Sequence, residues 1–245
     1  MNVIIPIAGS NYPVGDTQYI KSLQEIERKT ILQYSLESLE TLEAANFIVV
    51  VKREDVNKYH IDNIIRLLRP EAQIVIAEGE TMGAACTCML AVDYVQMNRP
   101  LLIVGGDQLL TVPAAPIVKE FQQNDYDGGV VIFDDVHPRW SYVRLDEEQH
   151  VIEAAEKRPI SRNAAAGFYY YTKAEDFFHS AQRMILKNAS VNGKFYIAPV
   201  FNEMILQQKV IGTHRIEKDQ YYNFNHNDGI EAYKNYLKRI EENRV

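Results

Sequence analysis

Val3-Ile4-Ile5-Pro6-Ile7 is an unbroken apolar run, and Ala8-Gly9-Ser10 stops it abruptly. A short run of this kind reads as a strand buried on both faces, the usual look of a strand inside a parallel sheet. The small residues at its carboxyl end admit two uses. They make a tight turn in any fold, and they leave backbone N–H groups open to an anion. The pattern then repeats. Apolar runs return at 47–51, 74–77 and 101–104, and between them apolar residues fall at helical spacing: Leu32, Leu36 and Leu39, then Ile61, Ile64, Ile65 and Leu68. A helix opens near Met82-Gly83-Ala84, and Ile117, Val118 and Phe121 mark another. Apolar strands alternating with amphipathic helices predict a Rossmann-like α/β sandwich of three layers, its central sheet mostly parallel and covered on both faces.

The second half changes character. Segments 130–133, 141–145, 150–154 and 165–171 are strand-like and joined only by turns, which predicts an antiparallel insertion. Helical spacing resumes at Phe177, Phe178, Ala181, Met184 and Ile185, and again at Val200, Phe201, Met204 and Ile205. A late strand over 210–216 and a charged helix from Gly229 follow. No Gly/Ser linker, repeat or low-complexity stretch breaks the pattern, so a single domain over 1–245 is expected.

Composition narrows the function. Lys and Arg number 26 against 33 Asp and Glu, a net charge of −7, which supplies no broad basic surface for nucleic acid. No apolar stretch nears the ~20 residues of a membrane span. The first residues carry no basic segment or cleavage site of an export signal, so a cytoplasmic location is expected. Cys86 and Cys88 stand one residue apart, too close for an ordinary disulfide and too few for a zinc site, in keeping with a reducing compartment.

Ligands of open α/β sheets bind beyond the carboxyl ends of the strands. Ala8, Gly9 and Ser10 occupy one such end, and Gly105-Gly106-Asp107 another. A carboxylate at Asp107 suits Mg²⁺, which takes oxygen ligands, although an Asp before Leu109-Leu110 also suits a helix cap. Lys21, a dozen residues after the first loop, is placed to return over it and meet a phosphate. By itself it reads as a solvated surface lysine. Glu156-Lys157, with Ser161 and Gly167 downstream, sits where one antiparallel strand leaves and the next returns. There it either holds hydroxyls and a phosphate or forms an exposed ion-pair turn.

In order along the chain these pieces resemble the sugar-phosphate nucleotidyltransferase family, whose fold is shared with the GT-A glycosyltransferases. Ile4-Ile5-Pro6-Ile7-Ala8-Gly9-Ser10 is similar to the family's signature loop, and Ile20-Lys21-Ser22-Leu23 to its lysine motif. Lys29-Thr30-Ile31-Leu32 matches the helix start that follows. Gly79-Glu80-Thr81-Met82-Gly83-Ala84-Ala85 resembles the stretch that frames the nucleobase, and Gly105-Gly106-Asp107 the metal aspartate. Trp140-Ser141-Tyr142-Val143, Ala155-Glu156-Lys157 and Ala166-Gly167-Phe168-Tyr169-Tyr170 resemble elements of the sugar-phosphate pocket.

The resemblance implies a fold of GT-A nucleotidyltransferase type, with residues 1–128 binding the nucleotide and 129–245 the substrate. It implies transfer of a nucleoside monophosphate from a nucleoside triphosphate (CTP, UTP or dTTP) to a phosphorylated small molecule such as a sugar 1-phosphate, for surface polysaccharide precursors. Pyrophosphate is released and Mg²⁺ is the cofactor. Lys21 and Asp107 would be catalytic. Ala8, Gly9, Ser10, Glu78, Gly83 and Gly106 would line the nucleotide, and Ser141, Glu156, Lys157 and Gly167 the substrate.

Four positions depart from the family pattern. No arginine lies between Gly9 and Lys21, where the family places one on the triphosphate. The second metal aspartate falls in Asn225-His226-Asn227-Asp228-Gly229, which leaves Asp228 or His226 at the ligand position. Ser141 stands where a pocket glycine is common, and Glu78 where a base-reading glutamine occurs. Two further readings stay open: a GT-A glycosyltransferase using a nucleotide-sugar, and a nucleotide-binding regulatory protein without turnover.

Overall fold

In the computed structural model, residues 1–9, 20–42 and 45–242 are described. The elements run β1 (Asn2–Pro6), β2 (Glu25–Ile26), β3 (Lys29–Thr30), α1 (Ile31–Glu37), β4 (Asn46–Lys52), α2 (Arg53–Tyr59), α3 (Ile61–Leu68), β5 (Gln73–Ala77) and α4 (Ala84–Met89). Then come β6 (Leu101–Val104), β7 (Gln108–Leu110), α5 (Ala114–Gln123), β8 (Gly128–Asp134), β9 (Ser141–Leu145), β10 (Val151–Glu156) and β11 (Asn163–Tyr171). The chain continues through α6 (Ala174–Leu186), α7 (Val200–Ile205), β12 (Ile211–Arg215), β13 (Tyr221–Asn223) and α8 (Asn227–Glu242).

β6, β1, β4 and β5 lie side by side and parallel. Because alternate residues of a strand point to opposite faces, each strand feeds two cores. Ile4, Ile48, Val50 and Ile103 pack with α4, α6 and α7, through Cys88, Phe177, Met184 and Phe201. Val3, Ile5, Phe47, Val49 and Leu102 pack on the other side with α1, α3 and α5, through Leu36, Ile65 and Phe121. The expected three layers are present. No helix among the described residues is long and apolar enough to cross a membrane.

The antiparallel strands are continuous with this sheet. β11 pairs antiparallel with β6 through Phe168–Tyr171 and on its other edge with β8, to which β12 adds in parallel. At the start of β11, Ala164 pairs instead with Tyr142 of β9, and β10 continues outward from β9. One strand therefore serves two branches of the sheet. The change falls at a register shift between Ala165 and Tyr169, and bulges of this kind bend a strand and re-aim its side chains. The cleft between the branches is the mouth of the site.

Gly167 lies in that bulge with φ +65°, and a Cβ there would stand 2.0 Å from Gln108 Oε1. Gln108 Nε2 donates to the Gly167 carbonyl at 2.7 Å, Tyr221 donates its hydroxyl to Gln108 Oε1 at 3.1 Å, and Ser35 donates to the Gln108 carbonyl at 2.6 Å. A buried glutamine thus fastens the fork, and only glycine fits against it. Gly167→Ala is expected to cost about 1–3 kcal/mol, from the left-handed backbone and the broken hydrogen bond. A lowered melting temperature would show it, and an unchanged one would exclude this account of the fork.

One expectation changes in detail. Residues 108–110 form β7, which pairs antiparallel with β13, so Asp107 caps no helix. β7, β13, α1 and α8 enclose a small third core of Tyr34, Leu109, Tyr222, Phe224 and Tyr233. That core fixes the connection from β13 to α8 over the carboxyl end of β6.

Candidate active site

The carboxyl ends of β1 and β6 open into a cleft with two lobes that share Pro6, Gly9, Asp107, Lys157 and Tyr196. The larger, about 400 Å³, is walled by Ser141, Glu156, Gly167 and Tyr169 from the antiparallel branch, with Trp140 and Arg139. The smaller, about 340 Å³, runs towards Ser22, Gly83, Gly106 and Lys194.

Asp107 stands where the lobes meet. Its carboxylate accepts from the Asn225 amide at 2.5 Å, and its carbonyl accepts from the Phe224 N–H at 2.9 Å, so the β13–α8 connection holds it in place. Burial pushes the Asp107 carboxyl up, while the Asn225 amide and the charge of Lys21 favour its ionised form. Lys21 starts a single helical turn, Lys21–Leu23, and is buried. Its ammonium has no hydrogen-bond partner among the described residues. Burial lowers its pKa, and Asp107 and Asp228 pull it back up. Lys21 lines neither lobe; its unpaired buried charge near the half-buried Asp107 is costly to a folded chain, which makes the lysine a candidate functional group.

Ser141 and Glu156 are cross-strand neighbours of β9 and β10, and the serine hydroxyl donates to the Glu156 carboxylate. Burial raises the Glu156 carboxyl, against that hydrogen bond and the charge of Lys157. Lys157 leaves β10 with φ +54°, donates its N–H to the Trp140 carbonyl at 2.9 Å and its ammonium to the Tyr196 hydroxyl at 3.0 Å. The lysine is thereby turned from the strand into the cleft.

The remaining predicted positions divide. Gly9 lines both lobes, with open space beside it. Ala8 is buried and its N–H already binds the Val50 carbonyl at 3.0 Å, so it has none to offer an anion. Ser10 lies outside the described residues. Gly83 precedes α4 with φ +110°, where a Cβ would meet the Phe195 carbonyl oxygen at 2.4 Å. Gly106 lies against Ile7. Glu78 faces solvent at the end of β5, paired with Arg53 at 2.7 Å, and lines neither lobe. Asp228 is bound to Arg139 at 2.7 Å, and His226 lines the larger lobe.

Sequence reading did not single out Arg139, Asn225 or Tyr196. Tyr196 belongs to Phe195-Tyr196-Ile197, which has neither strand nor helix periodicity; contacts with the start of α4 bring it here, Phe195 donating its N–H to the Met82 carbonyl at 2.7 Å.

Mg²⁺ usually takes one or two carboxylates, waters and substrate phosphates in place of a closed protein cage. No group of three or more His, Cys, Asp or Glu among the described residues is gathered for a metal. A carboxylate at the junction of the two lobes fits an ion that arrives with a triphosphate, and Asp107 has that position.

Comparison with known proteins places the family and the fold. The family described as Nucleotidyl transferase matches residues 12–213. Among curated proteins none matches. A nucleoside-diphosphate-sugar pyrophosphorylase from Vibrio cholerae shares the fold with a TM-score of 0.78 at 22% identity, over 97% of this chain and 100% of that one. A structure described as a glucose-1-phosphate thymidylyltransferase from Bacillus anthracis, in complex with sucrose, gives 0.73 at 18% identity, over 97% and 94%. A UDP-glucose pyrophosphorylase complexed with UDP-glucose gives 0.75 at 19%, over 97% and 98%.

Proposed function

Since the chain belongs to the nucleotidyl transferase family, we propose that it joins a pyrimidine nucleoside monophosphate, from CTP, UTP or dTTP, to a sugar 1-phosphate and releases pyrophosphate. The product would be a nucleotide-sugar of the kind used for surface polysaccharides. The observation that carries this reading is the two-lobed cleft with Asp107 and Lys157 in both lobes. Two anionic substrates need separate berths that meet at one point, and the cations belong at that point.

In the reaction, an oxygen of the substrate phosphate attacks the α-phosphorus of the triphosphate. The bond from that phosphorus to the β-phosphate oxygen breaks, and pyrophosphate leaves with the electron pair. The attacking oxygen is already ionised at neutral pH, so no strong base is required. The protein must hold two polyanions in line and offset their repulsion. Lys21 supplies a fixed positive charge beside the triphosphate, and its burial strengthens that charge's field. Lys157 holds the substrate phosphate. Glu156, positioned by Ser141, takes a sugar hydroxyl, and Gly167, packed against Gln108, borders the same lobe. Gly9, Gly83 and Gly106 border the nucleotide. Asp107 would hold Mg²⁺, which when bound screens the charge of the triphosphate and makes its α-phosphorus more electrophilic.

Each nucleoside triphosphate incubated with Mg²⁺ and a panel of sugar 1-phosphates tests the reading by pyrophosphate release. One pyrimidine nucleotide is expected to react well above the others. Absence of pyrophosphate from every combination, with sugar transfer from UDP-glucose instead, would assign a glycosyltransferase.

A further inference from the structure

We infer that the sugar phosphate this protein takes is an amino sugar 1-phosphate, its ammonium held by Glu156 and its phosphate by Lys157. The inference rests on the reading above and narrows it, with a cation in place of the sugar hydroxyl at Glu156.

Glu156 and Lys157 are consecutive and opposite in charge, yet among the described residues they form no ion pair with each other. Each is held by a hydroxyl group instead. Ser141 donates to the Glu156 carboxylate from the facing strand. The Lys157 ammonium donates to the Tyr196 hydroxyl at 3.0 Å and lies 5.1 Å from the centroid of that ring. In an extended strand, consecutive side chains leave on opposite faces. The left-handed backbone of Lys157, φ +54°, breaks that alternation, and both residues line the larger lobe. The lobe therefore presents a negative and a positive group side by side, neither neutralising the other.

Glu156 is buried, and Ser141 supplies its one hydrogen bond among the described residues. A single neutral hydroxyl does not offset the cost of burying a carboxylate, which calls for a paired charge. The other cationic side chains of the lobe do not provide it. Arg139 is bound to Asp228 at 2.7 Å, and His226 is held towards its neutral form by burial and by Arg139. Tyr169, Trp140 and Tyr221 complete the wall with aromatic surface, whose faces attract a cation. A sugar hydroxyl would leave the carboxylate's charge in place, whereas an ammonium cancels it through a charge-assisted hydrogen bond. Because the two charged groups leave consecutive residues, the ammonium belongs close to the phosphate, on the carbon next to the anomeric one.

Glucosamine 1-phosphate, glucose 1-phosphate and N-acetylglucosamine 1-phosphate carry an ammonium, a hydroxyl and a neutral amide at that carbon. Each is titrated by calorimetry into the wild-type protein and into Glu156→Gln, with melting temperatures as a check on folding. Glucosamine 1-phosphate is expected to bind the wild type about 10–100-fold more tightly than glucose 1-phosphate, the worth of a hydrogen bond to a charged group. N-acetylation should abolish that advantage. In Glu156→Gln, whose amide oxygen can still accept from Ser141, the preference should disappear. Equal binding of glucosamine and glucose 1-phosphates to the wild type overturns the inference and leaves the proposed function standing. So does an advantage that survives N-acetylation, or one that persists in a folded Glu156→Gln. If none of the three binds and none releases pyrophosphate with any nucleoside triphosphate, the proposed function falls as well.

Discussion

Lys21→Met is expected to lower nucleotidyl transfer by about 10³-fold or more, the scale set by removal of a single phosphate-stabilising cation, with no loss of stability. Lys21 is buried and its ammonium has no hydrogen-bond partner among the described residues. Methionine has a similar length and fills the same volume without a charge to desolvate. Burial lowers the folded-state pKa of Lys21 below 10.5, its ordinary value. At neutral pH the unfolded chain therefore holds this proton more favourably than the folded one, and the penalty is fully present. It is relieved only as pH rises through the lowered pKa towards 10.5. The variant should thus melt at the same temperature or higher, and the gap to wild type should narrow in alkali. Such a trade of stability for function is what a pre-charged anion site looks like. Wild-type turnover in Lys21→Met would remove Lys21 from the mechanism. A large fall in melting temperature would mean that its charge is structural.

Asp107→Asn is expected to lower turnover on the order of 10²–10³-fold by weakening the electrostatic centre of the site, again with the fold intact. Asparagine keeps the shape and can still accept from Asn225, and the backbone bond from Phe224 to residue 107 is untouched. What is lost is the anionic ligand between the lobes. Nucleotide binding to the native state raises its melting temperature. In the wild type Mg²⁺ should enlarge that rise, and in Asp107→Asn the enlargement should vanish. A variant that keeps the full Mg²⁺-dependent rise would place the metal elsewhere.

Much of this site was legible in the chain because its parts follow strand ends, and strand ends are visible where apolar runs stop. Leu101–Val104 and the glycines after it led to Asp107, and β9 and β10 led to Ser141, Glu156 and Lys157. α2 went unread because Arg53-Glu54-Asp55-Val56-Asn57-Lys58-Tyr59 offers one aliphatic residue and therefore no period. β7 and β13 went unread for another reason. Each has three residues, and they pair across more than a hundred positions, a distance no local pattern reports.

The sequence by itself determined the layers and the order of the motifs, because alternating burial leaves a periodic imprint on the residues that carry it. Only the tertiary structure decided which side chains are engaged and which are left waiting. Asp228, a candidate metal ligand in the sequence, is held by Arg139 from 89 positions away, Glu78 turns outward to Arg53, and Ala8 spends its N–H on β4. Lys21 reads as a surface lysine in isolation and becomes an unpaired cation beside Asp107 once the chain closes over it. The physical reason is common to all of them. A group's chemistry depends on its solvation and its partners, and both are set by contacts between residues far apart in the chain.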